Sequence, residues 1–375
     1  MKKIISLVLS LLFLFNVLYF NIFTLKAKAI IAKAYIAINA DTGGVILGEN
    51  INLKLSMAST TKIMTSLILA EQNTPDKTVL ITDEMVKTEG TSMGLKSGYT
   101  VTYKDLLYGM LLSSGNDAAN AAAIAISGSI KNFTVLMNKK AKALGMKNTN
   151  FDTPSGLDSD RHFSTCYDMA ILTKEALKNN SFKNAVSLKQ VTVCFKEPKI
   201  TVTLKNHNKL LEYDYIKGVK TGFTKKSGRC LVSFAEKENK RVIAVTLKDP
   251  DDWKDHKELL DESLLKLYNY NISSEDLGID NTVAVVNGNA DRVEVKIPDI
   301  NISLTNEERK NISYKINIKK ILYAPVFKNN TVGSIDYYLN GKKVSAFNIK
   351  TVSDISKTNT SFFKIIIKNF LLLLG

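Results

Sequence analysis

The spacing of apolar residues changes along this chain of 375 residues, and the order of those changes limits the fold. Strand-like runs flank a turn at 41–44, helical spacing dominates from about residue 59 to 179, and strand-like runs then return. Helices are predicted for 59–72, 104–126, 166–179 and 253–268, and short strands for 34–38, 45–47, 191–193, 201–204, 229–234 and 241–247. Strands at both ends of a helical stretch predict an α/β (α+β) sandwich, in which a mainly antiparallel sheet joins the two ends of this region.

Residues 282–350 follow a different pattern, because their apolar residues alternate with a period of two. Val293, Val295 and Ile297 are one such series, and Asn340-Gly341 separates two others as a strong hairpin signal. This pattern predicts a small all-β, sandwich-like domain at 273–350, following a larger domain at 30–272.

The N-terminus has the features of a secretory signal peptide. Lys2 and Lys3 precede a mostly apolar run from Ile4 to Leu25, and Ala27-Lys28-Ala29 matches an A-x-A cleavage site. We therefore predict that residues 1–29 are a signal peptide and that the protein is exported; an uncleaved membrane anchor is the alternative. The formal net charge of +15 would suit an anionic partner, but export makes nucleic acid an improbable one.

The C-terminal segment 351–375 ends in an apolar stretch, from Ser361 to Leu374, that contains Lys364 and Lys368. About 20 apolar residues are needed to span a bilayer, so this stretch is too short to cross one. As a helix it would carry both lysines on one side, which is typical of an interfacial membrane anchor. The segment is predicted to be an amphipathic membrane-anchoring tail; a core helix of the β-domain or a frayed end is the alternative.

A first candidate for chemistry is Ser59-Thr60-Thr61-Lys62. A serine and a lysine three residues apart on a helix lie on the same face, so the lysine could activate the hydroxyl if burial lowers its pKa. This pattern is weak by itself, because the same spacing recurs at Ser361–Lys364. Ser59 could equally be a helix cap, with Lys62 in solvent.

Two further motifs follow in chain order. Ser114-Gly115-Asn116 interrupts a helical region, and Lys220-Thr221-Gly222 precedes a predicted hairpin. Each could be an ordinary polar turn when taken alone. Together with Ser59-Thr60-Thr61-Lys62, however, they form the S-x-x-K, S-x-N and K-T-G set of serine β-lactamases and penicillin-binding proteins.

The residues around the motifs resemble those of the low-molecular-mass penicillin-binding proteins, specifically serine-type D-alanyl-D-alanine carboxypeptidases. The resemblance runs from about residue 31 to the tail, and four segments carry it: Met57–Thr65, Leu111–Ala119, Asn148–Leu157 and Gly218–Thr224. It implies a sandwich like that of the serine β-lactamases and DD-peptidases. It also implies a signal peptide, a C-terminal β-domain and a membrane-binding amphipathic helix, in the arrangement predicted above.

The resemblance also implies roles for the motif residues. Ser59 would attack the carbonyl between two terminal D-alanines and form an acyl-enzyme, and Lys62 would take its proton and later activate water. Ser114 would pass a proton to the departing amine, held in place by Asn116 and Lys62. The catalytic residues would therefore be Ser59, Lys62, Ser114 and Asn116.

Substrate binding would fall to Lys220, Thr221, Gly222, Phe223 and Thr224. Lys220 and Thr221 would hold the free carboxylate, and the backbone N–H groups of Ser59 and Phe223 would form the oxyanion hole. The strand after Lys220 would pair with the peptide. The chain departs from some relatives in having Phe223 where they have histidine, and in having no arginine at 249–256 to help hold the carboxylate.

No metal and no cofactor are predicted. The three histidines, His162, His207 and His256, are scattered without an H-E-x-x-H pattern, and the chain has neither a C-x-x-C pair nor a glycine-rich phosphate loop. The expected partners are peptidoglycan stem peptides ending in D-Ala-D-Ala, β-lactams as inhibitors, and a membrane surface through the tail. The expected location is the outer face of the cytoplasmic membrane or the cell wall, where the protein would be peripheral.

Several alternatives remain open from the sequence. A DD-endopeptidase or transpeptidase would use the same motifs, and the fate of the acyl-enzyme would distinguish them. A β-lactamase would need a glutamate between the second and third motifs to drive deacylation, and the nearest candidate is Glu175, in a predicted helix. A catalytically silent wall-binding protein is disfavoured by the intact motifs.

Overall fold

The computed structural model describes residues 30–358, apart from 274 and 277. The predicted signal peptide at 1–29 lies outside the described residues. So does the apolar part of the predicted anchoring tail, from residue 359 onward.

An antiparallel sheet of five strands forms the centre of the larger part of the protein. Its order is β2-β1-β9-β8-β7, with β1 Ala34–Asn39, β2 Val45–Glu49, β7 Ile216–Thr224, β8 Gly228–Lys237 and β9 Lys240–Leu247. The pairing of β1 with β9 brings the two ends of this region side by side, as the sequence predicted. β7 is at the sheet edge and pairs with β8 on one side, which leaves its other side available to a ligand.

Helices lie between β2 and β7, and one follows β9. They are α1 Lys62–Ala70, preceded by a 3₁₀ turn at Ala58–Thr61, then α2 Asp83–Val86, α3 Tyr103–Leu111, α4 Asn116–Ser127, α5 Ile130–Ala143, α6 Cys166–Ala176, α7 Asn180–Ser187 and α8 Asp252–Leu265. The predicted helix at 59–72 is therefore a 3₁₀ turn followed by an α-helix. The break between α3 and α4 coincides with Ser113–Gly115, as expected.

The sequence analysis predicted no element between the helix ending at 179 and the strand at 191–193, but helix α7 occupies 180–187. The Asn179 side chain caps this helix by accepting a hydrogen bond from the N–H of Phe182 at 3.2 Å. Phe182, Ala185 and Val186 then bury one side of it at i, i+3 and i+4 spacing. Helix α5 was also missed, and α8 ends at Leu265 rather than at residue 268.

The helical layer packs tightly around α1. Residues 62–69 of α1 are all buried, so this helix runs through the interior of the protein. The alanine-rich α4 lies close to α3, where a Cβ on Gly109 would be 3.2 Å from the Cβ of Ala118. Small side chains thus let neighbouring helices approach α1 and the turn that precedes it.

Four further short strands form two antiparallel pairs. They are β3 Thr78–Leu80 with β4 Thr100–Thr102, and β5 Gln190–Cys194 with β6 Thr201–Lys205. A second 3₁₀ turn, Lys209–Glu212, connects β6 to β7. The β5–β6 pair corresponds to the short strands predicted at 191–193 and 201–204.

The C-terminal part is almost entirely β-structure, as the alternating pattern predicted. Its strands are β10 Tyr268–Ile272, β11 Thr282–Val286, β12 Arg292–Lys296, β13 Ile300–Leu304, β14 Ile312–Ile318, β15 Ile321–Tyr323, β16 Thr331–Leu339 and β17 Lys342–Thr351, with the short helix α9 at Asn306–Lys310. β10 pairs with β13, and the others form a sheet in the order β14-β16-β17-β12-β11-β15. Asn340 and Gly341 both have positive φ angles, at 49° and 75°, as the predicted tight hairpin requires.

Helix α9 links this β-structure to the β1–β2 turn. Glu308 closes the N-terminal capping box of α9 and also accepts hydrogen bonds from the Thr42 hydroxyl and, at 3.1 Å, from the Asn39 amide. The Asn39 amide also donates to the carbonyl oxygen of Ser303 at 2.8 Å.

Among the residues described, none of the helices is both long and apolar enough to cross a membrane.

Candidate active site

Ser59 and Lys62 are in contact where the 3₁₀ turn meets α1. In a 3₁₀ turn, residues i and i+3 are nearly eclipsed, so both side chains project to the same side. The Nζ atom of Lys62 lies 3.0 Å from the Oγ atom of Ser59. Lys62 is 0% exposed, which excludes the alternative of a lysine in solvent.

Two carbonyl groups complete the surroundings of the Lys62 amine. Its Nζ donates to Asn116 Oδ1 at 2.7 Å and to the Ser155 backbone oxygen at 2.7 Å. The Asn116 amide is oriented by its own Nδ2, which donates to the Glu89 carbonyl at 2.6 Å. Since both carbonyl oxygens can only accept, a neutral Lys62 amine would use its two N–H groups on them and direct its lone pair at the Ser59 hydroxyl.

The electrostatics of the site favour the neutral amine. Burial holds the pKa of Lys62 well below its ordinary value, the positive charge of Lys220 lowers that pKa further, and Asp117 opposes the shift. Burial also lowers the pKa of Lys220, to about 7. Residues with strongly shifted pKa values cluster at functional sites, which makes Lys62 and Lys220 candidate site residues.

The Ser114-Gly115-Asn116 motif connects α3 to α4 beside Lys62. Ser114 has a φ angle of 59°, and its carbonyl accepts a hydrogen bond from the Thr91 hydroxyl at 2.7 Å. The Asn116 N–H donates to the Thr91 carbonyl, also at 2.7 Å. Residues near Thr91 therefore hold this motif in place, a role that the sequence did not indicate.

Asp117, next to the motif, was also not identified from the sequence. This buried carboxylate accepts hydrogen bonds from the backbone N–H groups of Met93, Gly94 and Leu95 at 2.9–3.1 Å. It thereby fixes the segment that carries Thr91. The available sequence signal was an acidic residue directly after the S-x-N motif, in the first turn of the helix that follows it.

The edge strand β7 brings Lys220 to the same cleft. Lys220 is 1% exposed, and its Nζ donates to the Thr221 carbonyl at 3.0 Å. A Cβ on Gly222 would lie 3.0 Å from the Ser59 nitrogen, so glycine is what allows β7 to pass this close to the turn. Phe223 follows and is 67% exposed.

Thr224, at the end of β7, is held by a loop from the helical layer. Its hydroxyl donates to Asp158 Oδ1 at 3.0 Å, and the Ser56 hydroxyl contacts the same oxygen at 3.1 Å. Asp158 thus connects β7 to the segment before Ser59. In the same loop, Gly156 has a φ angle of 88°, and a Cβ there would lie 2.0 Å from the Ala58 oxygen.

His256 and Glu175, which the sequence analysis also considered, make contacts with other residues of the protein. His256 is buried between Ser233 Oγ at 2.9 Å and Thr246 Oγ1 at 3.0 Å, beneath the sheet. Glu175 is in α6, where it forms an ion pair with Lys178 at 2.7 Å. Among the described residues, no group of three or more histidine, cysteine or acidic side chains is placed to hold a metal ion.

Comparison with known proteins places this arrangement in a family. Residues 21–251 match the family model described as D-alanyl-D-alanine carboxypeptidase. The chain belongs to the D-alanyl-D-alanine carboxypeptidase family. Residues 272–357 of this carboxypeptidase match a second model, the C-terminal domain of penicillin-binding protein 5.

Individual relatives agree with the assignment. The carboxypeptidase is 32% identical to the D-alanyl-D-alanine carboxypeptidase DacF of Bacillus subtilis over 337 residues, covering 87% of this chain and 86% of that protein. It is also 32% identical to DacC of Escherichia coli over 344 residues, covering 86% and 83%. Both the predicted family and the predicted enzyme class, a serine-type D-alanyl-D-alanine carboxypeptidase, are therefore confirmed.

Solved structures support the same fold. Penicillin-binding protein 5 of Haemophilus influenzae superposes with a TM-score of 0.63 at 28% identity, over 88% of this chain and 98% of that one. A Streptomyces DD-transpeptidase superposes with a TM-score of 0.60 at 31% identity, over 63% of this chain and 98% of that one. The predicted sandwich followed by a β-domain is confirmed.

Proposed function

We propose that this carboxypeptidase releases the terminal D-alanine from peptidoglycan stem pentapeptides through an acyl-enzyme on Ser59, with Lys62 as the base. One observation carries the assignment: the buried Lys62 amine contacts Ser59 Oγ and two acceptor-only carbonyls. That environment supplies what a serine nucleophile lacks, namely an adjacent neutral base.

The reaction begins when Lys62 takes the hydroxyl proton and Ser59 Oγ attacks the carbonyl carbon between the two D-alanines. The backbone N–H groups of Ser59 and Phe223 stabilise the oxyanion that develops. The carbon–nitrogen bond then breaks as the proton held by Lys62 passes through Ser114 to the departing amine. The neutral Lys62 next takes a proton from water, whose oxygen attacks the ester carbonyl. The ester carbon–oxygen bond breaks as Lys62 returns that proton to Ser59 Oγ. Asn116 orients the Lys62 amine throughout.

The free carboxylate of the substrate binds to Lys220 and Thr221. Lys220 supplies a positive charge that is shielded from bulk solvent, and Thr221 supplies a hydroxyl donor. Gly222 and Phe223 present backbone groups along the free edge of β7, where the peptide adds as a further strand. Thr224 supports the end of that strand through Asp158.

The activity should depend on pH in a bell-shaped manner. The value of kcat/KM rises with pH as Lys62 loses its proton, with an acid limb well below the ordinary lysine pKa. It falls at higher pH as Lys220, whose pKa is about 7, loses the charge that binds the carboxylate. Arginine stays protonated across this range, so Lys220→Arg should move the alkaline limb upward by at least a pH unit and retain the acid limb. A pH profile of D-alanine release checks this expectation, and an unmoved alkaline limb would assign that limb to another group.

Hydrolysis and transpeptidation are separated by the fate of the acyl-enzyme. The similarity to the Streptomyces DD-transpeptidase makes transpeptidation the second candidate. The test incubates the protein without residues 1–29 with a peptide ending in D-Ala-D-Ala, with and without glycine as acceptor. A carboxypeptidase yields the shortened peptide in both reactions; a dominant glycine adduct would instead establish a transpeptidase. Penicillin should inhibit either reaction by acylating Ser59.

A β-lactamase or a silent wall-binding protein receives less support. The glutamate that a β-lactamase would require is not supplied by Glu175, which pairs with Lys178. The Ser59–Lys62 contact is what an active acylating site requires, which argues against a silent protein.

We further propose that residues 1–29 direct export and that the C-terminal segment 351–375 binds the membrane surface through its apolar stretch from Ser361 to Leu374, since Ile355 pairs with Val326 in the β-structure. The enzyme would then act at the outer face of the cytoplasmic membrane, with a catalytic domain at 30–272 and a β-domain at 273–350. The apolar N-terminal run and the lysine-containing apolar C-terminal segment support this arrangement.

A further inference from the structure

His162 is buried in the loop 152–162, which also carries Ser155 and Gly156. The side chain is 2% exposed. Its Nδ1 lies 3.0 Å from the backbone nitrogen of Asp152, and its Nε2 lies 2.7 Å from the Thr61 hydroxyl. The imidazole therefore connects the start of this loop to the 3₁₀ turn that contains Ser59.

The hydrogen-bond pattern defines which ring nitrogen carries the proton. Since the Asp152 N–H donates to Nδ1, the proton of a neutral ring is on Nε2, which donates to Thr61 Oγ1. The Thr61 hydroxyl in turn donates to the Ala58 carbonyl at 2.7 Å. Burial lowers the pKa of His162 to about 4, so the ring is neutral near pH 7. The result is a directed chain from His162 through Thr61 to Ala58.

The residues of this hydrogen-bonded series adjoin the reacting groups. Ser59 lies between Ala58 and Thr61 in the sequence, and Lys62 follows directly. The same loop supplies the Ser155 carbonyl that accepts from Lys62 Nζ at 2.7 Å. It also places Gly156 against the Ala58 carbonyl, with no room for a Cβ. A shift of the loop relative to the turn would therefore move the Ser155 carbonyl away from the Lys62 amine.

We propose that His162 is a positioning residue for acylation: it links the loop 152–162 to Thr61 and so holds the Ser155 carbonyl and the Ser59 turn in register with Lys62. This inference rests on the proposed function, in which Ser59 is acylated. Misplacement of reacting groups by about 1 Å can cost on the order of 10²-fold in rate.

The test measures the second-order rate of labelling by a fluorescent penicillin, together with the melting temperature of each variant. We expect His162→Ala to be acylated about 10–100-fold more slowly than the parent. His162→Gln can place an amide donor near the position of Nε2 and should recover much of the rate, whereas His162→Asn retains only an acceptor near Nδ1 and should not. A role in stability alone would make labelling of the folded fraction equal in all variants.

Thr61, which contacts His162, and its neighbour Thr60 provide a matched pair of variants. Thr61→Val removes the hydroxyl that contacts His162, and its effect should not add to that of His162→Ala. Thr60→Val removes the neighbouring hydroxyl, which donates to the Met57 carbonyl at 2.6 Å, and should slow labelling much less. If Thr60→Val and Thr61→Val slow labelling equally, or if Asn and Gln at 162 behave alike, the inference is wrong. If the parent is not labelled at all, the proposed function itself has failed.

Discussion

Release of D-alanine from a peptide ending in D-Ala-D-Ala will fall by roughly 10⁴-fold or more when Ser59 is replaced by alanine. Loss of a nucleophile removes the covalent route completely, and only slow catalysis by the binding groups can remain. The substitution deletes one oxygen atom from a turn whose other contacts stay in place, so the folded structure should be retained. Labelling by a fluorescent penicillin should disappear together with D-alanine release.

The chain offers a matched control for this experiment. Ser361→Ala changes the other serine that has a lysine three residues later, Lys364. That variant should release D-alanine at the rate of the parent. Comparable activity in Ser59→Ala and in the parent would contradict the assignment of the nucleophile, provided that both proteins show the same melting temperature.

Replacement of Lys62 should have an effect nearly as large, with a different signature. Lys62→Arg keeps a positive charge but cannot supply a neutral amine, so acylation should fall by about 10²–10⁴-fold, the usual range for loss of a general base. The larger guanidinium must also fit a site that is 0% exposed. Lys62→Met should be slow for the same chemical reason, and less stable as well, because it leaves the Asn116 and Ser155 carbonyls without their donor.

Labelling by a fluorescent penicillin as a function of pH distinguishes a base from a purely structural lysine. With Lys62 absent, the acid limb assigned to its titration should disappear from the residual rate, even in a variant that folds well. Lys54→Arg provides the control, since Lys54 is exposed and its amine lies over the Phe163 ring, 5.2 Å from the centroid. An unchanged acid limb in Lys62→Arg would show that another group is the base.

The site was predictable from sequence to the extent that it depends on local spacing. The S-x-x-K contact between Ser59 and Lys62 arises from three residues of separation in a 3₁₀ turn, which the chain determines locally. The segment Pro154–Leu157 was part of the family resemblance, but the sequence did not reveal its structural role. The Ser155 carbonyl contacts Lys62 through its backbone, and backbone contacts of this kind leave no residue-type signal at the accepting position.

The fold, like the site, was predicted where it depends on local sequence and missed where it depends on packing. The β1–β9 pairing followed from the strand-like runs, and the Asn340-Gly341 hairpin followed from a two-residue signal. Helices α5 and α7 were missed because their helical pattern is short or highly charged, with Lys139, Lys140 and Lys142 in the second half of α5. Their helical state depends on caps at Ser129 and Asn179 and on packing against neighbouring elements.

The sequence by itself determined the order of most elements, the S-x-x-K, S-x-N and K-T-G motifs and hence the class of chemistry, because these depend on residue types at short separations. The tertiary structure decided the burial and the electrostatic environment of those residues. Only packing of α1 in the interior buries Lys62 and lowers its pKa, and only the return of β7 past the Ser59 turn brings Lys220 close enough to contribute. Burial and charge–charge proximity arise from contacts between residues far apart in the chain, so the protonation of Lys62 is a property of the folded protein.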